Sequence, residues 1–128
     1  MPAKSSVLII DNDAFLAGIY ARKFEADGWK VSVVDSLLDG RKVLMKKSVS
    51  AIVLEPDMDE QESELFVKSL RADPKTSTMV IAILSSLFEK KEIERFKKAG
   101  VDAYLIKGHF VPTEAVRKVK ELLLKGKK

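Results

Sequence analysis

The 128-residue chain contains no cysteine, which removes disulfide scaffolds, thiol nucleophiles and cysteine-ligated zinc. Its single histidine, His109, excludes any site built on a histidine pair. With 4 prolines and 6 glycines, the chain is neither collagenous nor low in complexity. Its apolar runs, such as Val7-Leu8-Ile9-Ile10, are far shorter than the roughly twenty residues of a membrane span. The run at the N-terminus is also too short for a signal-peptide core. Apolar residues make up 46% and charged residues 33%, a balance that suits a folded domain rather than a disordered chain. The length fits one domain over residues 1–128 with a self-sufficient core. The expected location is the cytoplasm, with no membrane association.

A net charge of +4 conceals an asymmetry. Residues 88–128 carry 12 Lys/Arg against 6 Asp/Glu, a net of +6, whereas residues 1–87 carry 11 against 13, a net of −2. Residues 55–64 alone hold six carboxylates and no base. One end of the domain is therefore expected to be acidic and another face basic.

Short β-like runs alternate with helical patterns. The runs are Ser6–Ile10, Lys30–Val34, Ala51–Leu54, Met79–Leu84 and Ala103–Ile106, several of them continuously apolar, as in parallel strands covered on both faces. The first helical pattern spans residues 14–26, with Leu16, Ile19, Tyr20 and Phe24 on one stripe and Gly28 as a stop signal. Residues 37–47 follow the capping pair Asp35-Ser36. Residues 62–72 present Leu65, Phe66 and Leu70, and end before Pro74. Residues 89–98 present Ile93 and Phe96, and end at Gly100. The last pattern starts at Pro112, with Val116, Val119, Leu122 and Leu123 facing inward. Five βα units with short connections predict a parallel sheet with right-handed crossovers. Eight units would be needed to close a barrel, so the expected fold is an open, doubly wound α/β sheet. Function in such sheets lies beyond the carboxyl ends of the strands.

Asp11, Asn12 and Asp13 follow the first strand. Glu55, Pro56 and Asp57 follow the third, Ser85 and Ser86 the fourth, and Lys107 and Gly108 the fifth. Carboxylates, a hydroxyl and a lysine thus converge on one edge. Hard oxygen ligands suit Mg²⁺, and a lysine suits a phosphoryl group.

These residues make the chain resemble a response-regulator receiver domain, the CheY-like phospho-acceptor module of two-component signalling. The resemblance covers about residues 5–124. It rests on Val7 to Asp13, the Asp39-Gly40 pair, Ala51 to Glu55, Leu84-Ser85-Ser86 and Ala99 to Lys107. It implies the flavodoxin-like (βα)5 sheet with strand order 2-1-3-4-5, helices one and five on one face and helices two, three and four on the other. It implies a phospho-acceptor position at Glu55, and metal ligands from Asp11, Asn12, Glu55 and the backbone carbonyl of Asp57. Ser85 and Lys107 are the implied phosphoryl-binding residues, and Tyr104 the implied aromatic switch. Four positions depart from the family pattern: Glu55 replaces the acceptor aspartate, Asn12 replaces a metal-ligating acid, Gly108 stands where proline is common, and so does Asp59.

Asn12 lacks a charge, so Mg²⁺ is expected to bind weakly. Neither flavin nor haem is expected. Residues 11–15, Asp-Asn-Asp-Ala-Phe, offer no Gly/Ser/Thr-rich phosphate loop, which disfavours a flavin-binding enzyme on the same fold. Nucleic-acid binding through the basic C-terminal third lacks a recognition-helix motif. Asp13 reads as a helix cap, Trp29 and Met58 as packing residues and His109 as a loop residue.

Glu55 is one methylene longer than aspartate and so reaches toward Lys107 without any phosphate. Two readings stay open: mimicry of the phosphorylated state, or decay of the site. Both reduce dependence on phosphorylation. A direct or water-bridged Glu55–Lys107 contact between neighbouring strands is expected in the unmodified protein, and mimicry adds Ser85 pointing to Glu55 and Tyr104 packed inward. The alternative keeps a phosphoryl transfer from a histidine kinase to Glu55 or Asp57. Partners implied by the resemblance are a kinase or an output protein. The expected surface is the face of helix four, strand five and helix five, which also serves homodimerisation in the family. Lys90, Lys91, Arg95, Lys97 and Lys98 there favour an acidic partner.

Overall fold

Period-two alternation along the strands divides the core in two. Val7, Ile9, Val53, Ala82, Leu84 and Leu105 point to one side, while Leu8, Ile10, Ile52, Leu54, Ile81 and Ile83 point to the other. Both sets are buried, which explains why the strands read as continuous apolar runs. The structure is a computed structural model that describes residues 5–108 and 111–125, and Met58 by its backbone alone. The readings of His109 and of the Met58 side chain lie outside what is described.

The order of elements is β1 (Ser6–Ile10), α1 (Ala14–Ala26), β2 (Lys30–Val34), α2 (Leu37–Lys46), β3 (Ala51–Leu54), a 3-10 turn (Pro56–Met58), α3 (Glu60–Ala72), β4 (Val80–Ser85), α4 (Lys90–Ala99), β5 (Ala103–Ile106) and α5 (Pro112–Leu124). The strands form one parallel sheet in the order β2-β1-β3-β4-β5. This is the expected doubly wound fold. α1 and α5 cover one face through Ala17, Tyr20, Phe24, Val116 and Val119. α2, α3 and α4 cover the other, chiefly through Phe66, Val67, Leu70 and Phe96.

Local chemistry sets the element ends. The Asp13 carboxylate accepts from the Leu16 amide at 3.1 Å and caps α1, as expected. Ser36 caps α2 through the Asp39 amide at 3.1 Å. Gly100 closes α4 at φ 117°, a left-handed conformation that glycine adopts freely. Gly40 is required by close approach instead: a Cβ there would lie 2.6 Å from Ile10 Cδ1. Trp29 is buried and meets Phe24 edge to face with ring centres 5.1 Å apart.

Three expectations need correction. α3 begins at Glu60 rather than residue 62, because the Asp59 carboxylate accepts from the Glu62 amide at 3.0 Å. Leu65 is 54% exposed, and Val67 takes the buried place beside Phe66. β4 is displaced by one residue and ends at Ser85, which pairs with Ile106.

Candidate functional site

The chain leaves β1 for β2 on one side and later returns to β3 on the other. That reversal opens a crevice beyond the carboxyl ends of β1 and β3. Backbone bonds carry the ladder past the strands: Asp11 N donates to Val34 O at 3.0 Å, Glu55 N to Ile10 O at 2.9 Å and Lys107 N to Ser85 O at 2.8 Å. The first residues after β1, β3 and β5 thereby continue the ladder.

Asp11, Glu55 and Ser85 are buried, while Asp57 and Lys107 are partly buried. Asn12 is exposed. The Lys107 ammonium lies 4.0 Å from Asp11 Oδ2 and 3.9 Å from Glu55 Oε2. The expected Glu55–Lys107 contact is therefore present at ion-pair distance, longer than a hydrogen bond. It does not join neighbouring strands, because β4 lies between β3 and β5.

The main correction concerns Ser85. It does not point to Glu55. Its hydroxyl donates to Asp57 Oδ1 at 2.5 Å, and accepts from the Leu87 amide at 2.9 Å. Ser86 gives Asp57 Oδ2 two further bonds, from its hydroxyl at 2.6 Å and its amide at 3.0 Å. Sequence reasoning gave Asp57 a backbone metal contact and an alternative acceptor role, not this contact with the serines, and it left Ser86 without a role. The cause is the 3-10 turn, which starts at Pro56 and swings the Asp57 side chain across to the end of β4. Glu55 closes this turn by accepting the Asp57 amide at 2.8 Å through Oε2. Ser85 lies on the Ile81–Ile83 side of β4, toward α3 and α4, so its hydroxyl faces the turn.

Three carboxyls in one crevice titrate apart. Burial raises Asp11, against the pull of the Asp13 amide and Lys107. Burial, followed by the hydrogen bond with the Asp57 carboxyl, pushes Glu55 from 4.5 up to about 7. Burial acts upward on Asp57 too, but the bonds from Ser85 and Ser86 outweigh it and hold Asp57 below the usual carboxylate range. Asp57 is thus the ionised member, and Glu55 is the one that keeps its proton up to about 7.

Tyr104 packs against Phe96 with ring centres 6.1 Å apart, and its hydroxyl donates to Leu87 O at 2.9 Å. The ring is turned inward over the β4–α4 link. Gly108 turns the chain at φ 87°, and its peptide bond to Lys107 is trans.

The donor set does not fit a tight divalent metal site. Among the described residues no three carboxylate or imidazole groups are grouped to hold an ion. Asp57 faces the serines, Asn12 contributes no charge, and the Lys107 ammonium faces both Asp11 and Glu55. The lysine supplies the positive charge that two buried carboxyls require.

The basic segment also needs one revision. Lys90, Lys91, Lys97 and Lys98 of α4 are exposed. Arg95 is not part of that free charge: it contacts Glu60 at 3.0 Å, Glu64 at 3.2 Å and Glu92 at 2.7 Å. It ties α4 to α3.

A family model described as the response regulator receiver domain matches residues 7–120. No curated protein matches the chain. Among solved structures, the chemotaxis protein CheY4 of Vibrio cholerae is similar at TM-score 0.85 and 18% identity, over 94% of this chain and 99% of that one. An orphan response regulator of H. pylori gives TM-score 0.83 and 20% identity, over 93% and 96%. An atypical orphan response regulator, described as having a phosphorylation-independent regulatory mechanism, gives TM-score 0.83 and 20% identity, over 93% and 95%. At these identities the structural likeness concerns the fold.

Proposed function

The chain belongs to the response regulator receiver domain family of two-component signalling, and from that membership we propose that it is a receiver whose output does not depend on aspartyl phosphorylation. The observation that carries the reading is the Asp57 carboxylate on Ser85 Oγ, Ser86 Oγ and Ser86 N. In the family a hydroxyl after the fourth strand receives a phosphoryl oxygen. Here the corresponding hydroxyl already serves an ionised carboxylate at a distance typical of a strong charge-assisted bond. Asp57 thus acts as a resident anion in place of a phosphoryl group, and Glu55 holds the turn that presents it. The β4–α4 link is fastened at Ser85, Ser86 and Leu87, and Tyr104 is held inward by Leu87 O.

The function is regulation by protein–protein contact rather than catalysis, by one domain spanning residues 1–128. Mg²⁺ is weakly held at most, given a donor set with Asn12 and an interposed lysine. Among the described residues no helix is long and apolar enough to cross a membrane; the cytoplasmic location is part of the proposal. The partner surface is the α4–β5–α5 face, whose exposed Lys90, Lys91, Lys97 and Lys98 favour an acidic partner.

The competing reading is a transfer of phosphoryl to Glu55 or Asp57. Intact-mass analysis after incubation with acetyl phosphate and Mg²⁺ distinguishes the two. The protein is expected to stay unmodified; stoichiometric labelling of either carboxylate would refute the proposal.

A further inference from the structure

At the opposite edge of the sheet from Asp57 and Lys107, the segments leading into β3 and β4 surround a cavity of ≈ 390 Å³. Lys46 and Lys47 border it from the C-terminal end of α2, and Lys75 borders it from the α3–β4 link. Val49 and the buried Met79 give it an apolar floor. Among the described residues no carboxylate lines it, and none of the three lysines has an ion-pair partner. Asp73, the nearest acid in sequence to Lys75, is turned to the Lys75 amide at 2.9 Å.

Lysines at the end of α2 have an ordinary explanation in the helix dipole. That explanation accounts for about half a unit of negative charge. Three lysines leave an excess of about two and a half positive charges around one cavity of ligand size. The walls are also fixed in advance. Arg71 Nη1 donates to Ser77 O at 3.0 Å and Met79 O at 2.7 Å, and Thr76 Oγ1 donates to Leu70 O at 2.6 Å. The site is therefore an apolar floor of Val49 and Met79 bordered by three exposed lysines without ion-pair partners.

We propose that this cavity binds a small organic phosphate, with a compact apolar body on Val49 and Met79 and the phosphoryl group among Lys46, Lys47 and Lys75. It stands at the other end of the strands from Asp57, so the proposal does not rest on how that residue is read.

Phenyl phosphate serves as the probe in an amide-resolved NMR titration of the whole chain, with inorganic phosphate and phenol as separate arms. Saturable shifts are expected at residues 46–49 and 75–79, weakening as salt rises. Inorganic phosphate and phenol should each bind about tenfold more weakly than phenyl phosphate. Lys47→Glu with Lys75→Glu should lower the affinity by about tenfold or more, with no more than the small fall in thermal midpoint that a reversed charge at the α2 C-terminus brings. If that pair fails to fold, Lys46→Gln with Lys75→Gln carries the same comparison. The absence of saturable shifts up to about 10 mM would overturn the proposal. So would unchanged affinity in the variants, or inorganic phosphate binding as tightly as phenyl phosphate.

Discussion

Glu55 and Asp57 stand two residues apart in one crevice, yet Glu55 holds its proton above the ordinary carboxylate range and Asp57 below it. The difference comes from the donors each one reaches. Asp57 takes three hydrogen bonds from Ser85 and Ser86, whereas Glu55 takes one amide and faces a neighbouring carboxyl. A carboxyl raised on folding favours the native state while it is protonated in both states. Glu55 therefore contributes stability that is fully present below 4.5 and is lost as pH climbs through about 7. Asp11 is raised and acts in the same direction. Asp57 is lowered, so its contribution is lost only as pH falls below the ordinary 3.8, outside this window. A shift of the size at Glu55 corresponds to at most about 3 kcal/mol. Urea unfolding in chelator between pH 4.5 and 8 should show stability declining with pH, and Glu55→Gln should flatten that decline. An equal slope in the variant would remove Glu55 as its source.

Among the elements, β5 depends on a side chain from α3. Arg71 donates to Gly100 O at 2.8 Å, to Ser77 O and Met79 O, and to Asp102 Oδ2 at 2.8 Å. Asp102 Oδ2 in turn accepts from Ile81 N at 2.8 Å. One guanidinium thus fixes the entries to β4 and β5, and with them the far ends where Ser85 and Lys107 sit. Replacing Arg71 with leucine takes the cation from a largely buried carboxylate and this donor from three carbonyls, at a cost of about 3 kcal/mol. Chemical denaturation should show that loss, together with faster amide exchange in β5. A loss below about 1 kcal/mol would place the pair among weak surface contacts. Nothing in the spacing of Arg71 and Asp102 announces this clamp, because it joins residues far apart in sequence. The strands and helices were legible because continuous apolar runs and glycine or proline stops record burial and chain reversal locally. Leu65 misled because one apolar residue beside a stripe is compatible with either face. The Asp59 cap was readable, since Glu62 follows it three positions later.

At the scale of the molecule, the parallel order places every residue after a strand on one edge, so Asp11, Glu55, Ser85 and Lys107 could be assembled from sequence alone. Their pairing could not. The contact between Asp57 and the two serines depends on a single 3-10 turn at Pro56, whose direction no periodicity encodes. The same topology separates two charged regions: an acidic crevice balanced by Lys107 and a lysine-bearing α4 whose Arg95 is taken up internally. What remains to be tested is whether the β4–α4 donors are already occupied. Fluoroberyllate with Mg²⁺ mimics a bound phosphoryl group, and an amide-resolved NMR titration reads its effect at Ser86, Leu87 and Tyr104. The account predicts no saturable change at these three residues in the unmodified chain. Saturable shifts there, reaching a new limiting spectrum, would mean that the donors are free to take a phosphoryl group and that Asp57 does not stand in for one.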